Sequence, residues 1–190
     1  MSTVRTTPRL TMTPTAVVRR SAAIMAGVVV VGLAAQIAIP VPGTEVPLTM
    51  QLPAVLLVGA LLGPRLGAAS LVVYVMLGAA GVPVFSPIGP PGVARLVGPT
   101  GGYLLAFPIA AAFVGRIVSD GSDIGKLALG LVLGALIIHA GGVIHLTVLT
   151  GDLAAAANVV SAPFVLSTLL KLIVAGLLAW RFTNTTRALF

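Results

Sequence analysis

The chain has 190 residues, of which 58% are hydrophobic and only 8% charged, with a mean hydropathy of +1.14. A soluble domain carries roughly 25% charged residues, so this composition cannot build a water-facing surface and its solvent is mostly lipid. With no cysteine, disulfides, thiolate metal sites and cysteine nucleophiles are excluded, and the formal charge of +7 comes with no charge run or interleaved aromatic strip that would mark a nucleic-acid surface.

Residues 1–20 are polar and basic, with Arg5, Arg9, Arg19 and Arg20, and read as a disordered cytoplasmic tail. Six apolar stretches follow, at 21–39, 48–63, 66–82, 102–118, 127–150 and 163–182. They predict an all-α membrane domain of six transmembrane helices over 21–182, with a short cytoplasmic C-terminal tail at 183–190. Several stretches have about 16 residues, the short limit for a bilayer core of ~30 Å, and five spans plus a re-entrant segment fit the same pattern. The first apolar run is too long for a cleaved leader and leads into further spans.

Basic residues fix the orientation. With the N-terminus in the cytoplasm and six spans, Arg5, Arg9, Arg19, Arg20, Arg65, Arg116, Lys126, Arg181 and Arg187 fall inside, while the outer loops hold only Arg95. Both termini are therefore expected on the cytoplasmic side of the membrane. Trp180 and Arg181 suit an inner interfacial anchor.

Arg95 and Lys171 break that pattern. Lys171 lies about eight residues into the last span, roughly 12 Å deep at 1.5 Å per residue. A lysine near the bilayer centre costs about 2.5–3.5 kcal/mol on insertion scales, so it should face the interior and meet a partner. No acidic residue lies inside a predicted span, which leaves a ligand anion or aligned carbonyls and hydroxyls. Phe164, Thr168 and Lys171 share one helix face by i, i+4 and i+7 spacing. Snorkelling to an interface is the structural alternative. Arg95 sits in the Gly/Pro-rich segment 86–103, which reads as a shaped loop. Beside it, Gly98-Pro99-Thr100-Gly101-Gly102-Tyr103 opens the fourth span with free backbone N–H groups, an anion-ready arrangement to which arginine adds carboxylate recognition. A plain loop arginine near headgroups explains it equally well.

His139 and His145 in the fifth span are six residues apart and share no face, so they read as hydrogen-bonded core histidines rather than metal ligands. Asp152 and Glu45 read as solvated or capping. No spacing specifies a catalytic dyad, and no GxxxxGK[ST] loop is present, so no enzyme is expected, no metal or cofactor, and any energised transport must borrow a motor. In the first span, Ala22 and Ala26 are four apart, as are Ala23 and Gly27. Small residues at this spacing let helices approach closely in lipid, whether to a partner or within the bundle.

Three motifs in order, VPLTMQ (46–51), LLGPRLGA (61–68) and GPTGGY (98–103), within the longer stretch from Gln36 to about residue 115, make the chain resemble the BioY family, the biotin-specific S components of energy-coupling-factor (ECF) transporters. The resemblance extends more loosely to 182. It implies biotin capture from outside, in a cavity closed by the first and third outer loops. It implies a transmembrane coupling protein and two cytosolic ATPases as partners, with the coupling protein docked on an alanine face of the first helix, here Ala22 and Ala26. In the family pattern the last helix carries Pro-Phe, then an acid, then Lys three positions later. Pro163, Phe164 and Lys171 match, but Thr168 stands where the acid is usual, and it cannot neutralise Lys171. An S component for another small vitamin is the alternative.

Biotin has a carboxylate, a cyclic urea and an apolar body. Arg95, Lys171, Thr168, Gln51, Tyr74 and Tyr103 can supply polar groups for it, and Phe85 and Phe164 apolar walls. Which cation meets the carboxylate is not fixed by the sequence.

Overall fold

Away from water, an apolar backbone must satisfy its own N–H and C=O groups, which favours helices. The computed structural model, which describes residues 14–118, 123–159, 162–187 and 189, follows that rule. Its elements are α1 (Pro14–Gln36), β1 (Ala38–Ile39), β2 (Leu48–Thr49), α2 (Gln51–Ala79), α3 (Ala94–Val97), α4 (Gly101–Ile117), α5 (Ile124–Thr150), α6 (Leu153–Asn158) and α7 (Ala162–Arg187). Four helices are long and apolar enough to cross a membrane: α1, α2, α5 and, within α7, Phe164–Thr183. The apolar α4 is shorter.

Two boundaries differ from the sequence expectation. The first helix starts at Pro14, inside the segment expected to be a disordered tail; residues 1–13 lie outside the described residues. Proline suits a first helical turn because its missing N–H would be unpaired there anyway. At the other end α7 runs to Arg187, so most of the expected C-terminal tail is helix. Thr183 is buried and donates to the Ala179 carbonyl at 2.6 Å, and Thr186 donates to the Leu61 carbonyl at 3.2 Å.

The long α2 is a hairpin. Gly63 has φ 78° and ψ 179°, a conformation that breaks the helix and that glycine adopts without penalty. Pro64 then opens the second arm. Gln51 and Tyr74 are 23 positions apart, yet Gln51 Nε2 donates to Tyr74 Oη at 2.7 Å. On a straight helix they would stand about 35 Å apart. The arms 51–62 and 64–79 therefore run antiparallel, which recovers the two separate apolar stretches that the sequence divides at Gly63-Pro64.

Around this hairpin the helices pack through small residues. A Cβ on Gly59 would lie 2.6 Å from the Ala111 carbonyl oxygen, and one on Gly27 would lie 2.6 Å from Ser70 Oγ. These sites bring α4 and α1 into close approach with α2, as in lipid-embedded bundles. Tyr74, Leu56, Leu71 and Val114 lie fully buried at the centre, while Leu33, Met76, Ile109, Val148, Leu170 and Leu177 point outward. The apolar exterior is what a bilayer requires and water forbids.

Candidate functional site

At the end of the bundle opposite Gly63, the chain between the helices folds inward. After α1, strands β1 and β2 pair antiparallel, Ala38 with Thr49 and Ile39 with Leu48. This two-residue ladder lays Val46 to Thr49 over the helix ends. The segment after α2 turns through Gly81, Gly89 and Gly92, all at positive φ, and seats Phe85 against Tyr74, ring centroids 5.5 Å apart at 70°. Gly78 makes room for it: a Cβ there would collide with the Phe85 ring. Gln36 ties the two loops together, its Nε2 donating to the Phe85 carbonyl at 3.2 Å.

Beneath these loops lies a cavity holding, with its open side, about 650 Å³ of atom-free space. Of the eight ligand-binding residues expected from the sequence, seven line it: Gln51, Phe85, Arg95, Tyr103, Phe164, Thr168 and Lys171. The expected face of α7 is intact, with Phe164, Thr168 and Lys171 all on the wall. Tyr74 is the exception. It stands behind the wall and closes a directed hydrogen-bond chain: Thr49 Oγ1 donates to Gln51 Oε1 at 3.0 Å, Gln51 Nε2 to Tyr74 Oη, and Tyr74 Oη to the Val84 carbonyl at 3.0 Å. In this chain it holds Gln51 from behind.

Arg95 is only 4% exposed, so a plain loop arginine near headgroups is excluded. It lies on α3, a single helical turn within the segment expected to be wholly non-helical. Its Nη2 donates to the Ser86 carbonyl at 2.6 Å and its Nη1 to the Ile88 carbonyl. Burial pulls its pKa down from the ordinary arginine value. Each terminal nitrogen thus gives one N–H to stapling the loop, while Nε is buried and without a partner among the described residues.

Lys171 is half-buried on the cavity wall, and among the described residues no acceptor lies within hydrogen-bond reach of it. Its place on the cavity wall is the one expected from the face it shares with Phe164 and Thr168. Two more polar atoms of lining residues are buried and unpartnered: Tyr103 Oη and His139 Nδ1. An unmade buried hydrogen bond costs about 1–3 kcal/mol, so three such atoms around one cavity mark a place for a polar ligand.

Both histidines are hydrogen-bonded, as expected. His145 Nε2 lies 3.1 Å from the Gly98 carbonyl and pins the start of α4 to α5; His139 Nε2 lies 3.1 Å from Thr168 Oγ1. Yet His139 also lines the cavity, which face counting within one helix could not reveal. The usable signal was its mere presence: an ionisable side chain inside a span is a site candidate by default. Asp152 caps α6, accepting from the Ala154 and Ala155 N–H groups at 2.8 and 3.0 Å. On α1, Ala22 and Ala26 are exposed while Ala23 and Gly27 are buried. The two small-residue pairs face different ways, and the pair Ala23 and Gly27 packs within the bundle.

Fold and site together define a class: an all-α membrane protein with a pocket suited to a small, amphipathic molecule. The chain belongs to the BioY family, whose sequence profile matches residues 5–188. The biotin transporter BioY of Thermotoga maritima is 39% identical over 143 residues, covering 75% of this chain and 84% of that protein. The biotin transporter BioY of Rhodobacter capsulatus is 33% identical over 156 residues, covering 75% and 80%. The crystal structure of an S-component for biotin from an ECF-type ABC transporter matches with a TM-score of 0.79 at 21% identity, over 93% of this chain and 99% of that one. At that identity the match speaks for the fold.

Proposed function

We propose that this chain is the biotin-capturing S component of an ECF-type importer, a binding subunit rather than an enzyme. The observation that carries this is the cavity itself. Its lining is apolar and aromatic, with one unpartnered ammonium and three unpartnered buried polar atoms, in a chain whose family relatives are biotin transporters. Biotin presents a carboxylate, a cyclic urea and an apolar body. Lys171 meets the carboxylate, because it lines the cavity with no hydrogen-bond partner among the described residues, whereas Arg95 is already engaged with two loop carbonyls.

The same reading has six spans: α1, the two arms of α2, α4, α5 and α7. Both termini face the cytoplasm and the cavity faces outward. In support, Arg65, Arg116, Lys126 and Arg181 gather at the Gly63 end, away from the cavity. A transmembrane coupling protein and two cytosolic ATPases supply the energy, and the exposed face with Ala22 and Ala26 receives the coupling protein.

Equilibrium binding of labelled biotin to the purified chain tests the function. Biotin should be displaced by itself and poorly by other vitamins; preferential displacement by another vitamin would establish the alternative S component. Cysteines placed as Ser2→Cys and Ala188→Cys should resist an impermeant thiol reagent in intact cells, and labelling of either would overturn the topology.

A further inference from the structure

The His139–Thr168 pair carries more than a core contact. His139 Nε2 lies 3.1 Å from Thr168 Oγ1, while Nδ1 is buried and unpartnered. The imidazole also stands edge-on to Tyr103, centroids 6.2 Å apart at 89°, and the Tyr103 hydroxyl is the next unpartnered atom. Both rings line the cavity, as do Thr168 and Lys171.

With the Arg95 and Lys171 cations lining the same cavity and no carboxylate among its lining residues, an imidazolium would add a third uncompensated charge, so the ring works neutral. A neutral imidazole has one donor and one acceptor nitrogen. The Thr168 hydroxyl can serve either. When it donates to Nε2, Nδ1 carries the proton and is a donor. When it accepts from Nε2, Nδ1 is an acceptor. Rotation of one hydroxyl thus sets the polarity that His139 offers.

From this juxtaposition we infer that His139, paired with Thr168 and flanked by the Tyr103 hydroxyl, binds the cyclic urea of the ligand. A cyclic urea has N–H donors on either side of a carbonyl acceptor, a pattern that a hydroxyl and an adaptable imidazole can match together. Lys171, a fixed donor, takes the carboxylate. The inference rests on the reading of the cavity as a biotin site and adds a residue that reads the ring rather than the acid.

Two variants and two ligands test it. His139→Phe keeps the ring against Tyr103 but removes both nitrogens, and the freed Thr168 hydroxyl can turn to a carbonyl of its own helix. His139→Asn shrinks the side chain but returns an amide near the Nδ1 position. Dissociation constants would be measured for biotin and for its primary amide, which keeps the urea and lacks the charge, alongside melting temperatures. His139→Phe should weaken both ligands equally, by roughly 3- to 10-fold for a lost neutral hydrogen bond, with the melting temperature held. His139→Asn should recover part of the loss. A packing role gives the opposite order, Phe harmless and Asn destabilising, and overturns the inference. So does a His139→Phe penalty seen with biotin and absent with the amide, which would place the residue at the carboxylate. Failure of the wild-type chain to bind biotin would instead remove the underlying reading, and is seen before any variant is made.

Discussion

The two ends of the bundle solve opposite problems. At the Gly63 end the backbone turns at a single glycine, α4 presses Gly115 against Gly63 and Pro64, and buried Thr183 and half-buried Thr186 donate to the Ala179 and Leu61 carbonyls. At the cavity end the loops fold over a hollow, and Arg95 Nε, Tyr103 Oη and His139 Nδ1 are left without partners. Among the described residues, the buried side-chain polar atoms without a partner all belong to residues lining the cavity. The contrast teaches where stability and affinity reside: disturbing the first end should unfold the protein, and disturbing the second should change what it binds.

The largest effect should come from filling the tight end. In Gly59→Leu the new side chain meets Ala111 backbone atoms that cannot turn aside, the Cβ alone lying 2.6 Å from the carbonyl oxygen. Overpacking of this kind costs about 3 kcal/mol or more. Thermal unfolding in detergent should show a loss of many degrees, with biotin bound normally by whatever remains folded. Unchanged melting with lost binding would erase the contrast.

Smaller effects should follow at the cavity end. Tyr103→Phe deletes a buried hydroxyl that has no partner among the described residues. Affinity should fall roughly 3- to 10-fold, the worth of one neutral hydrogen bond, while the melting temperature holds or rises. A fall in melting temperature with affinity intact would return Tyr103 to the scaffold.

The smallest effect on the isolated chain belongs to neither end. Ala22→Phe and Ala26→Phe add bulk to an exposed face of α1 and should leave melting and biotin affinity unchanged. Co-purification with the coupling protein should nevertheless be lost. Retained assembly together with weakened binding would show that this face packs inward.

Much of this was readable in the sequence, for identifiable reasons. The interruption between the apolar stretches 48–63 and 66–82 already separates the two arms of α2. Phe164, Thr168 and Lys171 announce a wall by helical spacing plus one costly charge. What was hidden depends on contacts between distant segments. Tyr74 and Gln51 look alike as polar residues in apolar helices, and only the hairpin decides that one stands behind the other. The fate of Arg95 is set by the Ser86 and Ile88 carbonyls, which no periodicity reports. His139 reaches the cavity through the approach of α5 to α7. Strands β1 and β2, two residues each, are too short to leave a period, and α1 begins in polar sequence because Pro14 opens a helix regardless of hydropathy.

The central claim is that Lys171 lines the cavity as the free cation that meets the ligand carboxylate. Lys171→Met nearly keeps the shape and removes an unpartnered, half-buried charge, so the fold should be as stable as before or more so. A charge-assisted hydrogen bond is worth about 1.5–3 kcal/mol, or about 10- to 150-fold in affinity. The decisive measurement pairs the biotin dissociation constant with the melting temperature for wild type and this one variant. The account predicts affinity weakened at least tenfold with the melting temperature held or raised. Affinity within about twofold of wild type with a lowered melting temperature would contradict it.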